Sequence, residues 1–90
     1  MKFSWDSKKA AANLRKHGVS FEETSTVFRD LLSATGSDPD HSVGEHRIVT
    51  FGNSSQNRLS VVAHTEEGEN IRIISARLVT RQERKMYEEG

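Results

Sequence analysis

Ninety residues with one proline and no cysteine make a single domain and exclude a disulfide scaffold, a cysteine-based zinc site and a thiol nucleophile. Thirteen Lys/Arg balance thirteen Asp/Glu, so bulk positive charge cannot drive coating of nucleic acid. No apolar run reaches the ~18 residues of a membrane span and Met1 to Asp6 lack a signal-peptide core, so the expected location is the cytoplasm. Leu, Ile, Val and Phe together number 20 of 90, which makes a thin core. The zero sum also hides a pattern: residues 1–20 carry a net +4, residues 21–45 a net −5 and residues 46–90 a net +1, and six of the last segment's seven cations are arginines.

Phe3-Ser4-Trp5 alternates like a short strand and meets Asp6-Ser7, either of which caps a helix. Lys8 to His17 is built of strong helix formers, with Gly18 as its stop. Ser20-Phe21-Glu22-Glu23 is a capping box. It predicts a second helix that places Phe21, Ser25, Phe28 and Leu32 on one face and fades near Ser33. The 36–44 segment, rich in Ser, Asp and Gly and holding the only Pro, reads as a loop, with a short edge strand near 32–35.

Three strands follow. In 45–52, Arg47, Val49 and Phe51 share a face, with His46, Ile48 and Thr50 opposite. In 58–65, Leu59, Val61 and Ala63 read as inward, with Arg58, Ser60 and His64 opposite. Glu66 to Asn70 makes a turn into the most apolar strand, 70–77. Thr80-Arg81-Gln82-Glu83 is a second capping box and opens a terminal helix carrying Arg84 and Tyr87.

The layout is α+β: an antiparallel sheet, two N-terminal helices on one face and a C-terminal helix, within one domain over residues 1–90. The other sheet face is left for function, and Arg47, Arg58, Arg72 and Arg77 lie along the strands. Asp38, Asp40, His41, Glu45 and His46 cluster in the loop, yet their spacing matches no EF-hand or His-x-x-x-His helix face, so neither metal nor cofactor is expected. Hydrolase elbows and phosphate-loop motifs are absent. RNA cleavage suits the residues better. RNA brings its own 2′-hydroxyl nucleophile, and a few arginines with a Glu, His or Tyr can hold the phosphate, move the protons and stabilise the phosphorane. The same residues would equally serve as a polar face pairing with acids of a partner.

Trp5-Asp6, Lys9, Asn13 and Lys16-His17-Gly18-Val19-Ser20-Phe21-Glu22 closely resemble the opening of the BrnT family of bacterial toxins. Val27-Phe28, Asp30, the 38–41 loop, Glu45-His46-Arg47, Gly52, Arg58-Leu59, Arg72 to Arg77, Glu83-Arg84 and Tyr87-Glu88 continue the resemblance in order. It implies a compact RelE-like fold and a ribonuclease toxin of a type II toxin–antitoxin pair that blocks translation. The implied partner is a BrnA-like antitoxin with a ribbon-helix-helix domain, in an assembly of two toxins and two antitoxins, with DNA contacted only through the antitoxin. A non-catalytic module that binds antitoxin and serves operon repression is the alternative.

On that reading Arg58, Arg72 and Arg77 bind RNA phosphates, one of them stabilising the transition state. Glu45 acts as a base or orients Arg47 on the same strand face, orientation being preferred. His17 is placed to donate a proton to the leaving 5′-oxygen. Lys9, Lys16 and Arg84 extend the RNA path, and Tyr87 either stacks on a base or packs the last helix.

Overall fold

The computed structural model describes residues 1–37 and 47–89. The chain runs β1 (Lys2–Ser4), α1 (Ser7–His17), α2 (Phe21–Ser25), a 3-10 turn (Thr26–Arg29), β2 (Ala34–Ser37), β3 (Ile48–Asn53), β4 (Leu59–Glu67), β5 (Asn70–Leu78) and α3 (Arg81–Glu89). The α+β class and the three-strand meander match the reading of the sequence.

Capping decides both ends of α1. Asp6 Oδ1 accepts from the Lys8 and Lys9 N–H groups at 2.8 and 3.1 Å. Gly18, at φ 72°, closes the helix by donating its N–H to the Leu14 carbonyl. Glycine, with no Cβ, takes that left-handed conformation without steric cost.

The second helix is shorter than its capping box suggests. Ser20 Oγ accepts from the Glu23 N–H at 3.0 Å, but the helix gives way to the 3-10 turn after Ser25. Three consecutive hydroxyls turn onto main-chain carbonyls there: Thr24 Oγ1 donates to Ser20 at 3.1 Å, Ser25 Oγ to Glu22 at 2.7 Å and Thr26 Oγ1 to Glu23 at 2.5 Å. Such bonds compete with the helical ladder. Phe21 and Val27 are buried, whereas Leu32, expected on the same face, is 79% exposed. Asp30 then pins the following turn, its Oδ1 accepting from the Leu32 N–H and its Oδ2 from the Asn53 N–H at 2.8 Å.

The five strands are ordered β1-β5-β4-β3-β2. Neighbours from β2 to β5 are antiparallel, and β1 joins the edge parallel to β5, with Phe3 opposite Ile71. Val62, Ile71, Ile73 and Ala76 meet Val19, Phe21 and Val27 in the core, so α2 and the 3-10 turn cover that face, with Ala10 of α1 packed against it. The inward set on β4 is therefore the reverse of the one expected: Ser60, Val62 and His64 are fully buried toward the helices. Val61 and Ala63 point to the opposite face, where they line a cleft with His17 and Arg77. As the central strand, β4 is buried on both sides, and alternation alone cannot assign its faces. A bulge between Ala63 and His64 shifts its register with β5.

β1 covers β5 only from Asn70 to Arg72. Farther along, Asn13 of α1 replaces a strand partner. Its Nδ2 donates to the Ala76 carbonyl at 2.8 Å and to Val19 O at 3.2 Å, and its Oδ1 accepts from the Ala76 N–H at 3.1 Å. This fixes the middle of α1 beside the strand that carries Arg72 and Arg77.

Candidate functional site

Two adjoining clefts lie on the sheet face opposite the Phe21–Val27 core, bordered by α1 along β5. The first, about 320 Å³, has Val49, Val61 and Ala63 for a floor and His17, Ser75, Ala76 and Arg77 around it. The second, about 400 Å³, is walled by Lys9, Arg47, Arg72, Thr65, Glu66, Glu67 and Ile74. Strand register explains the grouping. Val49 stands opposite Ala63, Ala63 opposite Ser75 and Val61 opposite Arg77, so alternate residues of β3, β4 and β5 line one surface. α1 adds Lys9 and His17 from a helix clamped at Asn13 midway between them.

The fold thus gathers Lys9, His17, Arg47, Arg72 and Arg77 on one side of the sheet. Asp6 marks the closeness of two of these groups. Its carboxyl is held below the usual range first by the Lys9 and Lys8 backbone N–H groups, and then by the charges of Lys9 and Arg72. Lys16 is exposed farther along α1. Glu45, and the Asp38, Asp40, His41 and His46 cluster, lie outside the described residues.

Arg58 is placed differently. Its Nε donates to Glu23 Oε2 at 2.9 Å, its Nη2 donates to Glu23 Oε1, and Nη2 also reaches the Gly18 carbonyl at 3.3 Å. The side-on fork that would grip a phosphate is occupied by a carboxylate whose side chain is 4% exposed. Arg58 holds Glu23 below the usual carboxylate range, with help from the Ser54 hydroxyl, which donates to Glu23 Oε2 at 2.6 Å. Glu23, anticipated to reach back to its own helix cap, instead anchors the start of β4.

Arg77 also has an acidic partner, but in another geometry. Its Nη1 and Nη2 donate end-on to Glu83 Oε1 and Oε2 at 2.7 and 2.9 Å. Glu83 belongs to the capping box of α3, accepting from the Thr80 N–H at 2.9 Å while its own N–H donates to Thr80 Oγ1 at 3.1 Å. Arg77, aided by the Thr80 N–H, lowers the Glu83 pKa to about 2. Reading the sequence placed Glu83 in the cap alone. Its six-residue separation from Arg77, across the turn between strand and helix, was the signal that could have found the pair.

α3 flanks this region loosely. Tyr87 donates its hydroxyl to the Leu32 carbonyl at 2.5 Å, and burial, with the charge of Asp30, pushes its pKa up. Tyr87 and Met86 line an apolar groove with Ala34 and Phe51. In the structure Tyr87 thus packs the last helix. Arg84 forms a long surface pair with Glu88 at 3.8 Å, in the same helix. No group of three or more potential metal ligands occurs among the described residues. No helix among them is long and apolar enough to cross a membrane.

No curated protein matches the chain. Among solved structures, the 1.1 Å crystal structure of the Brucella abortus ribonuclease toxin BrnT is similar, with a TM-score of 0.68 at 24% identity, covering 90% of this chain and 99% of that one. The likeness supports the fold. The model of a family described as the ribonuclease toxin BrnT of a type II toxin–antitoxin system matches residues 5–83. With most of its length inside that match, the chain belongs to the BrnT family of ribonuclease toxins.

Proposed function

We propose that the protein is a metal-independent endoribonuclease that cuts RNA by attack of the 2′-hydroxyl on the adjacent phosphate and so inhibits translation. The observation that carries this reading is the gathering of Lys9, His17, Arg47, Arg72 and Arg77 on one face, around a floor of small and apolar residues. A phosphate seated there meets several cations. Arg77 is the residue assigned to the developing charge of the phosphorane, because its two remaining donors aim as a pair. His17, at the mouth of the same cleft, is assigned to protonate the leaving 5′-oxygen. Lys9, Arg47 and Arg72 hold flanking phosphates, with Lys16 and Arg84 extending the path. Arg58, with its fork on Glu23, is assigned to stability rather than to substrate.

The partner is proposed to be a BrnA-like antitoxin in a complex of two toxins and two antitoxins, acting in the cytoplasm. The family description supports an antitoxin as partner.

The test is cleavage of a defined RNA in EDTA, with analysis of the product ends. Products ending in 2′,3′-cyclic phosphate are expected, together with loss of cutting in Arg77→Ala assayed well below its melting temperature, which loss of the Glu83 pair lowers. If the wild-type protein leaves RNA intact both alone and with ribosomes, and its induced expression leaves growth unaffected, the chain is a binding module and the proposal fails.

A further inference from the structure

We infer that Glu83 is a positioning residue for Arg77, fixing the guanidinium so that its free edge meets the phosphate in the His17–Ser75 cleft. The inference rests on the cleavage reaction proposed above.

A guanidinium carries five N–H donors and offers two bidentate edges, one end-on through both terminal nitrogens and one side-on through Nε. Glu83 takes the end-on edge at 2.7 and 2.9 Å, and Nη1 also reaches the Leu78 carbonyl at 3.3 Å. The Nε–H and the second N–H of Nη2 donate to no described residue, and the side chain remains 40% exposed. Arg58 is the internal contrast, since its side-on edge is the one spent on Glu23. Two arginines of one domain thus hold carboxylates in opposite senses, and of these two Arg77 keeps a two-donor edge for another oxyanion.

The carboxylate is itself immobilised. It accepts from the Thr80 N–H, so it cannot swing without giving up that main-chain bond, which does not depend on the Thr80 side chain. A long, rotamer-rich side chain on an open strand face would otherwise sample many positions, and misplacing a charge-stabilising group by about 1 Å can reduce rate by about 10²-fold. Arg77 is therefore pre-aimed, through Glu83, by the turn between β5 and α3.

The experiment measures kcat and KM separately on a model RNA, with melting temperatures, for wild type, Arg77→Ala, Glu83→Ala, Glu83→Gln and Thr80→Ala. Glu83→Ala is expected to lower kcat by about 10²-fold with KM nearly unchanged. Glu83→Gln, which keeps an acceptor for Arg77 and for the Thr80 N–H, is expected to fall in between and carries the test if Glu83→Ala unfolds. Thr80→Ala weakens the cap while leaving the ion pair, and is expected to lower the melting temperature but not kcat. Equal loss of kcat in Thr80→Ala and Glu83→Ala reduces Glu83 to an anchor of α3 and overturns the inference. A rise in kcat in either Glu83 variant does the same, by making the carboxylate a competitor of substrate. An Arg77→Ala variant that cuts like wild type, by contrast, refutes the assignment of Arg77 in the proposed reaction.

Discussion

The Arg58 guanidinium grips the Glu23 carboxylate by its side-on edge and ties the start of β4 to α2, with Ser54 Oγ donating to the same carboxylate at 2.6 Å. An arginine that the family resemblance puts among the phosphate-binding cations has its side-on edge taken up here by a carboxylate of the fold. Removing one partner of such a pair leaves the other without compensation. Arg58→Ala is therefore expected to lower the melting temperature markedly at pH 7, and Glu23→Gln to do likewise. The double variant should lose less than the sum of the two, which a double-mutant cycle checks. The folded-state pKa of Glu23 is depressed, so its contribution is present above the ordinary 4.5 and lost as pH falls through the folded value. The gap between wild type and Glu23→Gln should close in acid.

Gly52 faces the 3-10 turn at close quarters. A Cβ placed there would stand 2.8 Å from Val27 Cγ1 and 3.0 Å from Ser33 Cβ. Val27 is fully buried, and Asp30 Oδ2 accepts from the neighbouring Asn53 N–H, so neither side gives way easily. Gly52→Ala is expected to destabilise by about 1–3 kcal/mol, the usual range for overpacking, measured by urea unfolding. At Gly36 an added methyl would meet none of the described residues within 4 Å, so Gly36→Ala serves as the control with little effect.

His64 predicts a pH response distinct from that of the carboxylates. It is fully buried, its Nε2 lies 2.8 Å from Thr50 Oγ1 and its ring stands edge-on to Phe28 with centroids 4.8 Å apart. Its Nδ1 has no hydrogen-bond partner among the described residues. Burial pushes its pKa below 6.5, with Glu66 opposing. The unfolded chain then binds the proton first, so stability is full above about pH 6.5 and declines as pH falls toward the folded value, by up to about 1.4 kcal/mol per unit. Unfolding curves between pH 7.5 and 5 at half-unit steps (roughly one decade of protonation per unit) should show that slope in wild type. His64→Leu should have a flatter profile, and an identical slope in both proteins would refute the assignment.

These relationships show where the sequence was readable. The caps at Asp6, Ser20 and Thr80 and the stop at Gly18 are local chemistry, and each falls at its element's boundary, while the turn expected over Glu66 to Asn70 narrows to residues 68–69 because β4 runs on to Glu67. The face assignment of β4 failed because both sides of a central strand are buried, leaving Val61 and Val62 equally apolar to inspection. The parallel docking of β1 depends on contacts some seventy residues apart, between Lys2–Ser4 and Asn70–Arg72. The arginines were visible as a group, but the division of Arg58 from Arg72 and Arg77 required knowing where Glu23 and Glu83 point. Identical side chains were sorted by their neighbours.

The cationic face has a thermodynamic signature of its own. Each cation contacting a single-stranded phosphate releases counterion, contributing about −0.7 to the slope of log affinity against log salt concentration. Arg72→Ala and Lys9→Ala, which flank one cleft, are expected each to reduce the steepness of that slope by about this amount for a non-cleavable RNA. Arg58→Ala should leave the slope unchanged. Equal slopes for all three variants and wild type would remove the second cleft from the RNA path.

Asn13 joins fold and site most directly. Its carboxamide makes three bonds, two to the backbone of Ala76 and one to Val19, in place of the strand that β5 lacks there. Asn13→Leu retains bulk but strands the Ala76 N–H and carbonyl in a buried setting, at about 1–3 kcal/mol for each group left unsatisfied. Asn13→Asp keeps the acceptor for the Ala76 N–H while setting a charge against two carbonyl oxygens. It is expected to destabilise at neutral pH and recover partly in acid, as the carboxyl takes up a proton and can donate again. Because α1 carries His17 past this clamp to the cleft beside Arg77, both variants should also lower RNA cleavage at temperatures where they remain folded. Amide exchange at Ala76, accelerated in both, locates the lesion at the edge of β5. Protection there equal to wild type would show that α1 is held by its other contacts, and that Asn13 does not set the position of His17.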